Sequence, residues 1–257
     1  MTIRLLPEFV IAFALVFARV GTMIMLLPAL GEQAAPARAR LAFAVLVALI
    51  TLPVIRAKLP VSLGNLPVVV TLLITELLIG FTFGLAARFV MSALQTAGVV
   101  VSQQIGLSYT MILDPTHADQ GQSAVMSSFF MMLGVGLVFA ANLHHVALMG
   151  IVDSYRSLAP GDLPASGDAA QLALTLASAS FSTGIQLSAP FLVFAMVFNI
   201  GLGILSRMMP QLQVFFLAMP ASVLLGTIIL ILVLSLMMDG FVTSVGMAFR
   251  ELFPGLR

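Results

Sequence analysis

Charged residues are scarce in this chain of 257 residues. It has 11 Lys and Arg and 10 Asp and Glu, together 8% of its residues, whereas about a quarter of the residues in a soluble domain are charged. Between Asp168 and Asp239 the only charged residue is Arg207. A chain that cannot cover its surface with charge needs a solvent other than water, and the hydrocarbon of a bilayer is such a solvent. The composition therefore indicates an integral membrane protein or a subunit of a membrane assembly.

Further absences exclude whole classes of function. Cysteine is missing, which excludes disulfides, thiolate nucleophiles and Cys-ligated metals. A net charge of +1 provides no field that would attract nucleic acid. Neither a Walker lysine motif nor a Gly-x-Ser-x-Gly motif occurs, so the sequence predicts no ATP hydrolysis and no serine hydrolase. There is no tryptophan and there are two tyrosines, too few for aromatic belts at both membrane interfaces. This indicates that many helices face protein rather than lipid.

What the chain has instead is six apolar stretches. In hydrocarbon every backbone amide must be paired within its own element, so these stretches predict helices and an all-α, polytopic fold of membrane-type hairpins. Their lengths are uneven: 41–55 reaches only ~22 Å as a helix, less than a bilayer needs. Proline is expected to kink or break the two longest C-terminal stretches, at Pro190, Pro210 and Pro220. The stretches cover roughly residues 9–30, 41–55, 66–94, 123–149, 169–205 and 208–238.

The distribution of polar segments predicts two parts. Before about residue 168 the connections are long and partly polar, and Pro160, Gly161, Pro164 and Gly167 cluster at the change. Such a cluster marks a break between structural elements. We therefore predict an N-terminal part over 1–165 and a C-terminal helical hairpin over 166–257.

Three charges lie inside apolar stretches, namely Arg19, Glu76 and Arg88. Each costs about 2.5–3.5 kcal/mol at the centre of a membrane helix. Glu76 and Arg88 are ~18 Å apart along one helix, too far to pair, so their partners are expected on other helices or subunits. For Arg19 and Glu76 we expect an interhelical or intersubunit ion pair. For Arg88, near the end of its stretch, the alternative is a side chain that snorkels to the interface.

Assembly contacts and transport remain alternative interpretations of these residues. Arg207, in the connection of the C-terminal hairpin, is predicted to act with the other three charges in assembly. Gly80 and Gly84 form a GxxxG step that predicts a close helix contact. A small-solute or proton-coupled transporter, with Glu76 as its coupling acid, is the alternative function.

Two polar segments are further candidates for function. The segment 103–123 lies between apolar stretches and is either a surface loop or a functional loop that enters a pore. His144 and His145 would serve an intramembrane enzyme or a metal site, but adjacent residues on a helix point in different directions and no Glu is near. A metal or cofactor is therefore not predicted.

Five segments, in order, resemble the FliR family of export-gate subunits of bacterial type III secretion systems. The resemblance extends over nearly the whole chain. The segments are FARVGTMIMLLPALGEQAAPARARLAFA (17–44), ELLIGFTFGLAARFV (76–90), QTAGVVVSQQIGLSYTMILDP (95–115), NLHHVALMGIVDSYRSLAPGDLP (142–164) and LSAPFLVFAMVFNIGLGILSRMMPQLQVFFLAMP (187–220).

The resemblance implies a non-enzymatic subunit without a cofactor, in the bacterial inner membrane at the flagellar basal body. It implies a FliP-like part over 1–165 and a FliQ-like helix pair over 166–257, which would join FliP-like and FliQ-like subunits, with an FlhB-like subunit as a further partner. Exported unfolded flagellar proteins would pass through the pore. Membrane lipid would be a further contact, although the family's helices are largely raised out of the bilayer by the assembly. The family's plug loop falls on 106–123. Its candidate residues here are Gly106, Leu107, Ser108, Tyr109, Thr110, Met111, Asp114, Pro115 and Gly121.

Overall fold

A computed structural model of the chain describes residues 5–28, 36–59, 66–107, 122–162, 166–209 and 214–253. These residues form seven α-helices and one short 3-10 helix, with no strand among them, which confirms the predicted all-α fold. Five helices are long and apolar enough to cross a membrane. The helices are α1 (Leu5–Leu26), α2 (Ala37–Ile55, followed by the 3-10 helix Arg56–Lys58), α3 (Leu66–Ile105), α4 (Gln122–Ala140), α5 (Leu143–Ser157), α6 (Ser166–Met208) and α7 (Val214–Leu252).

The described residues pack as two compact units. The first unit comprises Met1–Val90, Val138–Ala177 and Gly246–Arg257, and the second comprises Met91–Leu137 and Ser178–Val245. Four helices, α3, α4, α6 and α7, contribute residues to both units. The division at residue 165 that we expected from the sequence stays a prediction.

In the first unit, α1 and α3 run in the same direction. Gly80 packs against Arg19, and one turn later Gly84 packs against Leu26. Because the two helices are parallel, the chain returns between them through α2, which packs on α1. The phenyl ring of Phe253 fills the space beside Gly150 of α5 and stacks on Phe83, with 5.7 Å between ring centroids.

Helix α2 is longer than the apolar pattern indicated. It has 19 residues and reaches ~28 Å, so the expectation that this segment is too short to span is wrong. The helix begins at Ala37 and takes Arg38 and Arg40 into its first turn. Charged residues are tolerated there because the first turn lies at the end of the apolar segment, where long basic side chains reach a polar environment.

The predicted stretch 123–149 is two helices rather than one. Helices α4 and α5 meet at an angle of 75°. Asn142 causes the break by adopting a left-handed backbone conformation with φ of 57°, which asparagine tolerates better than most residues. The pair counts as a sixth span only if both helices are taken together.

Pro220 does not break the last helix as predicted, whereas the kink predicted at Pro190 stays a prediction. Pro190 lies inside α6 and Pro220 inside α7, and both helices continue beyond them. An internal proline removes one backbone hydrogen bond, whereas ending a helix in an apolar environment would expose several backbone groups. Pro210 lies outside the described residues.

The second unit is a bundle of four helical segments in close contact. Gly184 of α6 lies against Ala93 and Thr96 of α3, whereas Gly98 of α3 lies against Ser127 of α4. Further along the bundle, Gly226 of α7 lies against Ile105. Glycine permits helix backbones to approach in this way, which is typical of membrane helices.

We predict that Gly98→Ala destabilises the protein by about 1–3 kcal/mol, the usual cost of overpacking. An added Cβ would lie 2.5 Å from Ser127 Cα and 2.8 Å from Ser127 N, and these backbone atoms cannot move without shifting α4. The control is Gly136→Ala, because nothing lies within 4 Å of its position and alanine favours the helix by up to about 1 kcal/mol. Thermal unfolding in mild detergent measures both, and equal effects of the two changes would contradict the packing.

Candidate functional site

The centre of the first unit contains a buried ion pair. Arg19 of α1 donates from Nε to Oε2 of Glu76 at 2.6 Å and from Nη2 to Oε1 at 3.0 Å. Both side chains are excluded from solvent, with exposed fractions of 0% and 1%. Two parallel bonds between a guanidinium and a carboxylate form the strongest type of protein ion pair. Two of the charges singled out by the sequence are therefore each other's partners.

The remaining contacts of this pair extend it to other segments. Arg19 Nη1 donates to the carbonyl oxygens of Ser154 at 3.2 Å and Leu158 at 2.9 Å. The guanidinium lies over the ring of Tyr155, 4.0 Å from its centroid, in a cation–π contact. The backbone N–H of Gly161 donates to the Glu76 carboxylate. We call Arg19, Glu76 and these four residues the polar junction, because it joins α1, α3, α5 and the segment after α5.

Glycine positions the two charged helices at this short distance. A Cβ on Gly80 would lie 2.5 Å from the backbone oxygen of Arg19, and one on Gly84 would lie 2.7 Å from Leu26 Cβ. Glu76, Gly80 and Gly84 follow each other at four-residue intervals and so share one face of α3. The GxxxG step thus lies at the α1–α3 contact, and it lets Glu76 reach Arg19.

The other two predicted charges lie elsewhere. Arg88 and Arg207 are both exposed. Arg88 is not near a helix end, because α3 continues to Ile105, so the reason given for its snorkelling is wrong. The parts that Arg88 and Arg207 play in assembly stay predictions.

Several residues of the polar junction could not be identified from the sequence. Ser154 and Leu158 contribute backbone carbonyls, which any residue would supply. Tyr155 could have been suspected as one of two tyrosines in the chain. Lys58 was also missed: its Nζ donates to the carbonyl oxygen of Tyr155 at 3.2 Å, and it thereby links the end of α2 to the same segment.

The base of the predicted plug loop lies in the second unit. Helix α3 ends at Ile105, which is buried and packs against Gly226. Gly106 follows with φ of 89° and donates its N–H to the carbonyl oxygen of Gln103 at 3.2 Å. Such a left-handed glycine is a common helix stop. Of the predicted plug residues, Gly106 and Leu107 are described, whereas Ser108, Tyr109, Thr110, Met111, Asp114, Pro115 and Gly121 lie outside the described residues.

The two adjacent histidines lie in the first turn of α5. The His144 ring contacts Phe139, with 5.1 Å between centroids, and lies 4.0 Å from the His145 ring. Across the described segments no group of three or more His, Asp and Glu side chains could hold a metal ion. This arrangement brings neither histidine together with the polar junction residues named above.

Comparisons with known proteins agree with the resemblance noted in the sequence. A family model described as "Bacterial export proteins, family 1" matches residues 10–247. A flagellar biosynthetic protein FliR from Caulobacter vibrioides is 44% identical over 225 residues, 86% of this chain and 88% of the relative. The FliR proteins of Escherichia coli and Bacillus subtilis are each 31% identical, over 81% and 87% of this chain and 78% and 86% of their own lengths.

We predict that Glu76→Ala destabilises the protein by about 3–5 kcal/mol, because it leaves the Arg19 guanidinium buried without its counter-charge. The double variant Arg19→Met with Glu76→Leu removes both charges and should regain more than half of that loss. Chemical unfolding in mild detergent measures each variant. The control Arg88→Ala removes an exposed charge from the same helix and should change stability by less than about 0.5 kcal/mol. A double variant as unstable as Glu76→Ala would contradict the role of the pair.

Proposed function

The chain belongs to the FliR family of bacterial export proteins, and from this premise we propose that it is a subunit of the flagellar type III export gate. The similarity to flagellar biosynthetic proteins over nearly the whole chain carries the proposal. In this role the protein catalyses no reaction. With FliP-like and FliQ-like subunits, and beside an FlhB-like subunit, it forms the pore that unfolded flagellar proteins enter. The assembly lies in the inner membrane, within the basal body.

The outward faces of the C-terminal helices support an assembled rather than an isolated protein. On α7, Ile231, Leu232 and Leu236 are exposed by 72%, 74% and 73%. On α6, Val193, Met196 and Val197 are exposed by 65%, 68% and 65%. Continuous apolar surface of this kind is covered by lipid or by other subunits. Because the chain has no tryptophan to mark two membrane interfaces, we assign much of this surface to neighbouring gate subunits.

The two parts of the chain are proposed to have the roles that the family resemblance implies. Residues 1–165 serve as the FliP-like part and residues 166–257 as the FliQ-like helix pair. Both helices of that pair, α6 and α7, are long, with 43 and 39 residues. Residues 1–165 contain the polar junction, which holds α1, α3 and α5 in one arrangement before neighbouring subunits bind.

The proposed plug is the loop that follows α3. Its base is fixed, because Ile105 is buried and Gly106 turns the chain out of the helix. The residues at 106–111 are uncharged. A loop of these residues in the pore would block ions while the pore is closed, and it would not bind a passing polypeptide tightly.

The transporter alternative has less support. Glu76 is 1% exposed, and its carboxylate accepts hydrogen bonds from Arg19 and from Gly161. A coupling acid must exchange protons with solvent during its cycle. These contacts favour a structural carboxylate.

We predict that the tagged chain, extracted from its own membranes in mild detergent, co-purifies with FliP-like and FliQ-like subunits in fixed ratio. The physical reason is the apolar surface of α6 and α7, which is too large to leave uncovered. Native mass spectrometry measures the composition of the complex. Recovery of the chain as a stable monomer, under conditions in which the other two subunits remain together, would contradict the gate proposal.

We further predict that deletion of residues 107–121 leaves the complex assembled but makes the membrane leak ions. The deletion removes the proposed plug and keeps both Gly106 and the start of α4. Loss of membrane potential in cells that make the assembled gate measures the leak. Replacement of the same residues by a Gly/Ser segment of equal length controls for the shortened connection. If the membrane stays tight after deletion, the plug assignment is wrong.

A further inference from the structure

An open cavity with both polar and apolar lining lies within the second unit, and Gln103 and Asn199 at its wall are exposed. Its volume is about 350 Å³, and it is lined by Gln103 and Gln104 from the last turn of α3, by Asn199 and Ser206 from α6, and by Ser222 from α7. Its lining contains no charged side chain. Pockets of this size hold small ligands or short segments of a larger one. The three carboxamides come from two different helices, α3 and α6.

The hydrogen-bonding groups in this cavity are available to a ligand. The hydroxyls of Ser206 and Ser222 donate to the carbonyl oxygens of Gly203 and Met219 in their own helices, which leaves their oxygens free to accept. Within the described part of the chain, the carboxamides of Gln103, Gln104 and Asn199 have no hydrogen-bond partner. Each carboxamide offers two N–H donors and one carbonyl acceptor.

These groups fit a peptide backbone better than an anionic lipid headgroup. A peptide group presents one N–H and one C=O, which a carboxamide can pair with whatever the side chains of the ligand are. An anionic lipid headgroup would require Lys or Arg, and the lining has neither. Phe198 and Met219 also line the cavity, and methionine adapts to apolar side chains of varied shape.

We propose that this cavity binds the backbone of an exported polypeptide in extended form, a proposal that rests on the export-gate function proposed above. The binding is independent of substrate sequence because the carboxamides form hydrogen bonds with the main chain. It is weak because each bond is neutral and replaces a bond to water. A bound segment lies against the last turn of α3, next to Gly106, where the predicted plug loop begins.

Cysteine cross-linking tests the position of the substrate. The chain has no cysteine of its own, so Gln104→Cys and Asn199→Cys each introduce a single thiol. The gate is assembled with cysteine-free partners and trapped with a flagellar substrate fused to a stably folded domain. The substrate carries one cysteine, placed in turn at successive positions of its trapped segment.

We expect disulfide adducts from both cavity positions, at several successive substrate positions, since backbone binding fixes no register. The control is Gln171→Cys, which is exposed on α6 and does not line the cavity. Absence of adducts at 104 and 199, or equal adducts at 171, overturns the proposal.

Loss of the carboxamides tests their function. Gln104→Leu with Asn199→Leu should lower the export rate of several unrelated substrates about tenfold, the effect of losing two neutral hydrogen bonds. The matched control is Gln171→Leu with Gln186→Leu. It changes two carboxamides of α6 that do not line the cavity, and it should leave export unchanged. Co-purification with FliP-like and FliQ-like subunits is measured on the same samples.

The outcomes separate this inference from the gate proposal. Unchanged export with the complex intact overturns the peptide site and leaves the gate function standing. Loss of the complex in the first variant alone means that the cavity is a contact between subunits, which also overturns the peptide site. Failure of the unaltered chain to form the complex overturns the gate proposal itself.

Discussion

The buried pair of Arg19 and Glu76 is the interaction on which the first unit depends. In a chain with 8% charged residues, two of them are withdrawn from solvent completely and meet across α1 and α3. Desolvation of two ions is costly, and it is offset only where geometry is good and every remaining group is bonded. Gly80 lets the two helices approach, and Gly161 and the carbonyls of Ser154 and Leu158 form further hydrogen bonds with the pair. The pair therefore specifies one arrangement of these segments, since any other would leave a charge buried alone.

The second unit is stabilised differently. Its described residues have no ion pair, and its helices meet where glycine permits close approach, as at Gly98 and Ser127. Such contacts depend on shape rather than on charge, and they are the usual means of association between helices in lipid. The same unit contains the carboxamide cavity and the start of the predicted plug loop. The elements proposed to meet the substrate thus belong to the unit that packs through glycine contacts, whereas the polar junction belongs to the first unit.

The sequence predicted the helical class because apolar length determines a membrane helix. Of the three charges that it singled out inside apolar stretches, Arg19 and Glu76 meet each other, whereas Arg88 is exposed. The GxxxG step of Gly80 and Gly84 lies at the α1–α3 contact. The break at Asn142 was not predictable, because most asparagines do not adopt a left-handed conformation. The start of α2 was placed too late because Arg38 and Arg40 interrupt the apolar pattern without interrupting the helix. Tyr155 escaped notice because its contact with Arg19 joins residues far apart in the chain.

A pore for unfolded polypeptides must keep a fixed shape and must bind the passing polypeptide weakly. Strong contacts with cargo, such as ion pairs, would favour some sequences and stop others. Two groups of polar residues in this chain bear on these demands under the proposed gate function. Arg19 and Glu76 face each other and are 0% and 1% exposed. The groups left open at Gln103, Gln104 and Asn199 are neutral, and neutral hydrogen bonds contribute little net free energy in contact with water. In the proposed gate, the charges of Arg19 and Glu76 are thus kept from the passing polypeptide, and the proposed peptide site offers it neutral groups.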